Sequence, residues 1–370
     1  MNAVGGRRAG LAVIVAVLGV AAPSVVHAAP EADATSVTST PSSTVARTGD
    51  RVLVRGSVTT EGPREVRLQV RVGRTWRTLD SQETTGTFTL TLPTGDAGVS
   101  SYRVQAPATD GFSEGIGATF TVGIGAGNPR AFDYLTTPPV RWDPCTTIGY
   151  RVNLTEAPDD ALEDVRRAIG LASQATGVRY KYLGTTKIVP GAKGADTPET
   201  YPAGTDLVIA YTTPAKTRLL DRRDHALGIG GVFYDLTPQK IGKNSWHRAV
   251  QGYVVLNTTK SLPSGFGAGR ETGELGTWGQ VLLHEIGHTL GLDHPAVADK
   301  DQIMHPETTY KQAQWGAGDL VALRRLGASS GCFAKPAKRL AATKRPAVKR
   351  PAVKSRVVPG VRSSVVLAQR

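Results

Sequence analysis

Four residues between positions 284 and 294 have types and spacing suited to metal chemistry: His284, Glu285, His288 and His294. The first part of the stretch that begins at Thr277 fits a helix, with Trp278, Val281, Leu282 and Leu290 supplying an apolar face. On a helix, His284 and His288 stand one turn apart on one face and can reach a single ion. Glu285, beside the first of them, can address a water on that ion. A helix continued through His294 would point its ring off that face. Gly291 can take a positive φ, end the helix and turn the chain back, so that His294 completes a three-nitrogen site. Three neutral imidazoles suit zinc and leave a fourth position for water. An ion so held brings the pKa of that water to about 7 and polarises a scissile carbonyl, with Glu285 as general base. The chemistry expected is peptide-bond hydrolysis without a covalent intermediate. Gly287, between the first two ligands, is expected to allow close packing of the helix on a neighbour, since glycine in a helix interior otherwise costs about 1 kcal/mol against alanine.

The run His-Glu-x-x-His-x-x-Gly-x-x-His over 284–294, followed by Met304-His305-Pro306, resembles the metzincin metalloprotease signature. The proline two residues after the methionine resembles the matrixin branch. The resemblance covers roughly residues 131–333, with its strong motifs confined to 284–306. It implies an α/β catalytic domain in which a mixed twisted sheet carries the active-site helix. It implies one catalytic zinc on His284, His288 and His294, Glu285 as the catalytic residue, and a Met-turn at Met304 and Pro306 beneath the metal. By the same resemblance, the strand near 231–235 is the antiparallel edge above the cleft, and an exposed edge can take an extended protein or peptide substrate by β-addition. The zinc-ligating tyrosine of astacins and serralysins is missing, so Tyr310 inherits no such role. Calcium is compatible with the resemblance, but no ligand set for it can be read from the sequence.

The elements that must position these residues follow from patterning. Residues 148–153, 178–183, 206–211, 231–235 and 252–257 read as strands, 158–176 as a helix stopped by Gly177, and 317–326 as a closing helix. Cys145 and Cys332 bracket this domain, and one disulfide between them is the structural reading. Cys145 as a zinc latch is the sharper alternative. Matrixin latency uses a prodomain cysteine, and no cysteine precedes Cys145. His225 and His247 read as surface histidines. His305 is read equally as lining the cleft or as a turn residue, and Asp293 as orienting a ligand or as a loop carboxylate.

The remainder is organised around this domain. The 370-residue chain exceeds one ordinary domain, and its two cysteines exclude a disulfide-dense scaffold. Residues 1–29 resemble a secretory signal peptide: Arg7 and Arg8, an apolar run over 11–22, and cleavage near Ala28 or Ala29. That makes the mature protein extracellular. Residues 30–45 read as a linker. Residues 46–124 alternate with period two between Gly and Pro turns and read as a small all-β immunoglobulin-like sandwich, a spacer or docking module. Residues 125–130 read as a second linker. Residues 334–370 carry 11 Lys and Arg and no acidic residue, most of the net charge of +13. This composition predicts a disordered tail suited to an anionic cell-wall or membrane surface. It lacks the aromatic interleaving expected of nucleic-acid binding. Two further readings stand beside the hydrolase: a catalytically silent adhesin or cell-wall-binding protein, and a zinc amidase acting on cell-wall peptide.

Overall fold

The structure is a computed structural model. It describes residues 33–109, 111–192, 201–220, 226–270 and 276–334, together with the backbone of 364–367. The signal-peptide segment and His225 lie outside the described residues. No helix among those described is long and apolar enough to cross a membrane.

The N-terminal part is built from nine strands: β1 (Val37–Pro41), β2 (Val45–Arg47), β3 (Val52–Val58), β4 (Arg64–Val72), β5 (Thr75–Thr84), β6 (Thr87–Leu92), β7 (Gly98–Ala106), β8 (Gly115–Ile116) and β9 (Phe120–Gly125). One sheet has the order β1-β3-β6 and the other β2-β9-β7-β4-β5. The period-two alternation places Val52, Val54, Leu68, Phe88, Leu90, Val104 and Val122 in one buried core. Pairing is antiparallel apart from β2, which runs parallel to β9. The expected linker 30–45 is corrected here, because β1 pairs antiparallel with β3 and β2 joins the second sheet. β1 is a half-exposed Val-Thr-Ser-Thr-Pro run with too few apolar residues to announce a strand, and β2 is only three residues long.

The expected linker 125–130 is corrected as well. The carbonyl of Ala126 accepts the N–H of Ala317 at 2.7 Å, and the N–H of Asn128 donates to Asp299 at 2.7 Å. The segment is packed onto the second domain, and β9 and β2 touch its last helix.

The second domain contains β10 (Asp133–Tyr134), β11 (Val140–Arg141), β12 (Thr147–Asn153), α1 (Ala161–Thr176), β13 (Arg179–Thr185), β14 (Leu207–Thr212), β15 (Ala226–Tyr234), β16 (Gln239–Ile241), β17 (Asn244–Asn257), α2 (Trp278–Leu290), β18 (Leu292–Asp293) and α3 (Ala317–Leu326). Its main sheet has the order β13-β12-β14-β17-β15. The first four strands are parallel and β15 is antiparallel to β17. The apolar run of β14 is buried at all six residues, as a central parallel strand covered on both faces requires. Gly177 caps α1 in the left-handed region at φ 72°. Cys145 and Cys332 form a disulfide across 187 residues of sequence, and no free cysteine remains among the described residues.

The tail expectation needs one correction. Residues 364–367 form a strand, β19 (Ser364–Leu367), antiparallel to the outer edge of β15. Ser-Val-Val-Leu is an uncharged, β-branched run in an otherwise basic tail, which suits a strand. The edge of β15, expected to be open, is therefore paired.

Candidate metal centre

Helix α2 starts at Thr277, whose extended backbone (φ −131°) lets its side chain accept the N–H of Gln280 at 3.3 Å. All 13 residues of α2 are buried, so the helix is covered on every side and not along a single stripe. It packs on β15 and β17 of the sheet and against α1. Gly291 ends it at φ 106°, with its N–H on the His288 carbonyl at 3.1 Å. A side chain here would be strained by the backbone and would also strike the Val140 carbonyl. The chain turns into β18, which pairs with β10 at Asp133↔Asp293 and Tyr134↔Leu292. Trp142 donates its indole N–H to the Thr289 carbonyl at 2.8 Å and holds the last turn of α2.

The turn brings His294 back. The Nε2 atoms of His284 and His288 are 2.9 Å apart, and those of His284 and His294 are 3.1 Å apart. One ligand nitrogen from each of the three histidines lies within 4.8 Å of the others. The outward nitrogens of two rings are engaged: His284 Nδ1 with the Ile303 carbonyl at 2.7 Å, and His288 Nδ1 with the Leu292 carbonyl at 2.9 Å. A carbonyl only accepts, so both Nδ1 atoms carry the proton and both Nε2 atoms turn a lone pair inward. Two such lone pairs at 2.9 Å repel unless a cation lies between them. The donor set is neutral nitrogen, which suits zinc. Burial, with the neighbouring His288 and His294, holds His284 well below the ordinary imidazole pKa. Burial and the neighbouring His294 lower His288 to about 3, and burial lowers His294. All three rings are ready as ligands at neutral pH without proton release.

Around the rings, Met304 is buried and lies against Gly287, which confirms the close packing expected there. The turn 303–305 is held by Asp319 at the start of α3. Asp319 Oδ2 accepts the N–H of Ile303 at 2.6 Å and the N–H of Gly316 at 3.0 Å. Burial pushes its carboxyl up to about 7, against the lowering effect of these bonds. Asp293 accepts the N–H of His294 at 2.8 Å, and its charge favours protonation of His288 and His294. His305 is buried with Nδ1 3.1 Å from the Glu307 carbonyl, a turn contact. His247, expected on the surface, is buried, with Nδ1 2.8 Å from the Asp235 carbonyl and its ring against Tyr234. Tyr310 is exposed.

Glu285 differs from expectation. Expected to address a water on the ion, Glu285 instead has 0% exposure. Strand β15 lies directly on it: a Cβ at Gly228 would stand 2.9 Å from Glu285 Oε1, and one at Gly230 would strike the Glu285 backbone. Sequence reasoning missed Trp142, β10 and Asp319 as supports of the site. Their only sequence signals were an isolated tryptophan, a two-residue Asp-Tyr segment and an acid in the first turn of a helix.

No known protein family matches this chain, and no curated protein matches it. Solved structures give distant similarities. One, from work on T cell specificity and activation by the bacterial superantigen toxic shock syndrome toxin-1, is 12% identical over 24% of this chain and 97% of the other, with a TM-score of 0.19. Another, the sporulation control protein Spo0M from Bacillus subtilis, is 15% identical over 37% of this chain and 55% of the other, with a TM-score of 0.18. The chain thus spans about half of Spo0M, and neither similarity is strong enough to assign a fold.

Proposed function

We propose that this chain is a secreted zinc-dependent endopeptidase of the metzincin type, close to the matrixin branch. The observation that carries the reading is the inward convergence of three imidazole Nε2 atoms, two of them fixed as lone-pair donors by carbonyls on the far side of the ring. The sheet order supports it, since four parallel strands are followed by an antiparallel strand, β15, that packs on the helix bearing the histidines. His284, His288 and His294 would hold the ion. Zinc bound there would polarise a peptide carbonyl and acidify a water. Glu285 would accept that water's proton and return it to the leaving amine. Met304 would form the floor of the site, and β15 would receive substrate as an added strand.

The test is a map of new peptide termini generated from mixed unfolded proteins, with the zinc content of the enzyme measured. Expected are termini that vanish on chelation and are absent with Glu285→Ala, while that variant keeps one zinc per chain. No termini from a zinc-bearing chain, whole or shortened after Ala334, would overturn the reading. One observation favours a second reading, a zinc-bearing but catalytically silent binding protein: the complete burial of Glu285. The same experiment decides between them.

A further inference from the structure

Strand β19 lies where an added peptide strand would lie. Its backbone pairs antiparallel with β15 at Ala226↔Leu367, Gly228↔Val366, Ile229↔Val365 and Gly230↔Ser364, and it also runs beside α2. Gly228 and Gly230 are the two residues whose missing side chains make room for Glu285. The stretch of edge that β19 covers is thus the stretch packed on the candidate base, and Glu285 is fully buried in this arrangement. The covering segment is suited to this place and unlike its surroundings. It is an uncharged run between Arg362 and Arg370, in a tail where every charged residue is basic. Its valines favour strand, and an edge strand offers it a row of unpaired N–H and C=O groups.

We infer that Ser364–Leu367 is a self-held occupant of the peptide-binding edge, so that the chain's own C-terminal segment competes with peptide for the candidate active site. The functional meaning rests on the hydrolase reading above; the competition itself does not. Tethering gives such a segment an effective concentration in the millimolar range, enough to outcompete a dilute peptide although only a few backbone hydrogen bonds hold it. The hold is reversible, because each of those bonds contributes only about 1 kcal/mol net.

The test uses the full-length, zinc-loaded chain and a labelled peptide hydroxamate, a probe that combines an extended backbone with a zinc-chelating group. Successive N–H groups of a strand point to opposite edges, so the double substitution Val365→Pro, Val366→Pro removes a bond to β15 whichever residue makes it. The expected result is probe affinity at least tenfold tighter in the double-proline chain and in a chain shortened after Ala334. Faster hydrogen exchange at residues 228–230 is expected in both. A synthetic peptide of sequence 362–370, added in trans, should weaken probe binding to the shortened chain. Equal affinity in all three chains, or residues 228–230 unprotected in the unaltered chain, would overturn the inference. If affinity rises but no chain cleaves protein, the inference stands and the hydrolase reading falls. If all cleave equally and affinity is unchanged, the hydrolase reading stands and the inference falls.

Discussion

Asp319 accepts the backbone N–H of Ile303 at 2.6 Å, and the carbonyl of Ile303 in turn holds His284 Nδ1 at 2.7 Å. A carboxyl group on α3 therefore supports a candidate metal ligand on α2 through a single peptide residue. Replacing it with alanine leaves two buried N–H groups without their acceptor, at a cost of about 2–4 kcal/mol. Asp319→Asn keeps one acceptor and removes the charge, so it should cost much less. Denaturant melts and zinc affinity check both, with the alanine variant expected to bind zinc at least tenfold more weakly. Equal zinc affinity in the three proteins would contradict this support.

The same carboxyl sets a pH dependence. Its folded pKa is raised to about 7 from a usual value of 3.8. The fold then holds a proton that the unfolded chain releases, so its contribution is full below about pH 4 and is lost as pH rises towards 7. Wild type should therefore lose stability relative to Asp319→Asn between pH 4 and 8, by an amount on the order of 4 kcal/mol. Thermal melts of both proteins across that range measure it, and parallel curves would refute it.

The histidines act with the opposite sign. His288 is lowered to about 3, chiefly by burial. Unfolded imidazole titrates near 6.5, so the metal-free fold is favoured above that pH and loses stability as pH falls below it. Chelated wild type should become less stable from pH 6.5 to pH 4, with a steeper slope than chelated His288→Gln by about 1 kcal/mol per pH unit. Identical slopes would show that His288 is not held neutral by the fold.

Gly291→Ala places a side chain at φ 106° and against the Val140 carbonyl. Strain at such a position costs roughly 1–3 kcal/mol. The more specific expectation is that His294 no longer completes the site. Isothermal titration should then show zinc affinity falling by more than the loss of stability explains, and an unchanged affinity would count against the bend as the element that delivers His294.

Removing the bridge between Cys145 and Cys332 should cost about 2–3 kcal/mol, the lower part of the usual range. Arg141 independently ties the same ends together. It donates to the Gly331 carbonyl at 2.7 Å and lies over the Phe333 ring at 4.5 Å. Chemical denaturation with and without reductant measures the cost. A loss near 5 kcal/mol would mean that Arg141 contributes little.

What could be read from the sequence was local. The helix that follows Thr277, its glycine end and the histidine spacing all lie within one short stretch, where periodicity and a single backbone exception decide the structure. The apolar run of β14 and the α3 bounds were equally plain. What could not be read depends on pairing across the chain. Asp319 looks like an ordinary acid complementing a helix N-terminus until the turn at 303 is placed above it. His247 lies in a polar stretch, and it is buried where β17 pairs with β11 at Val140↔His247. β1 and β19 carry little or isolated apolar character and become strands because an edge is waiting for them.

The seam between the two domains has a mechanical consequence. Ala126 holds the first turn of α3, and that turn carries Asp319. β9 and β2 rest on the same helix. The N-terminal module is thus a buttress for the candidate metal centre. Cutting it away at residue 130 would strip one wall from α3 and loosen the footing of His284 from more than a domain's width of sequence away.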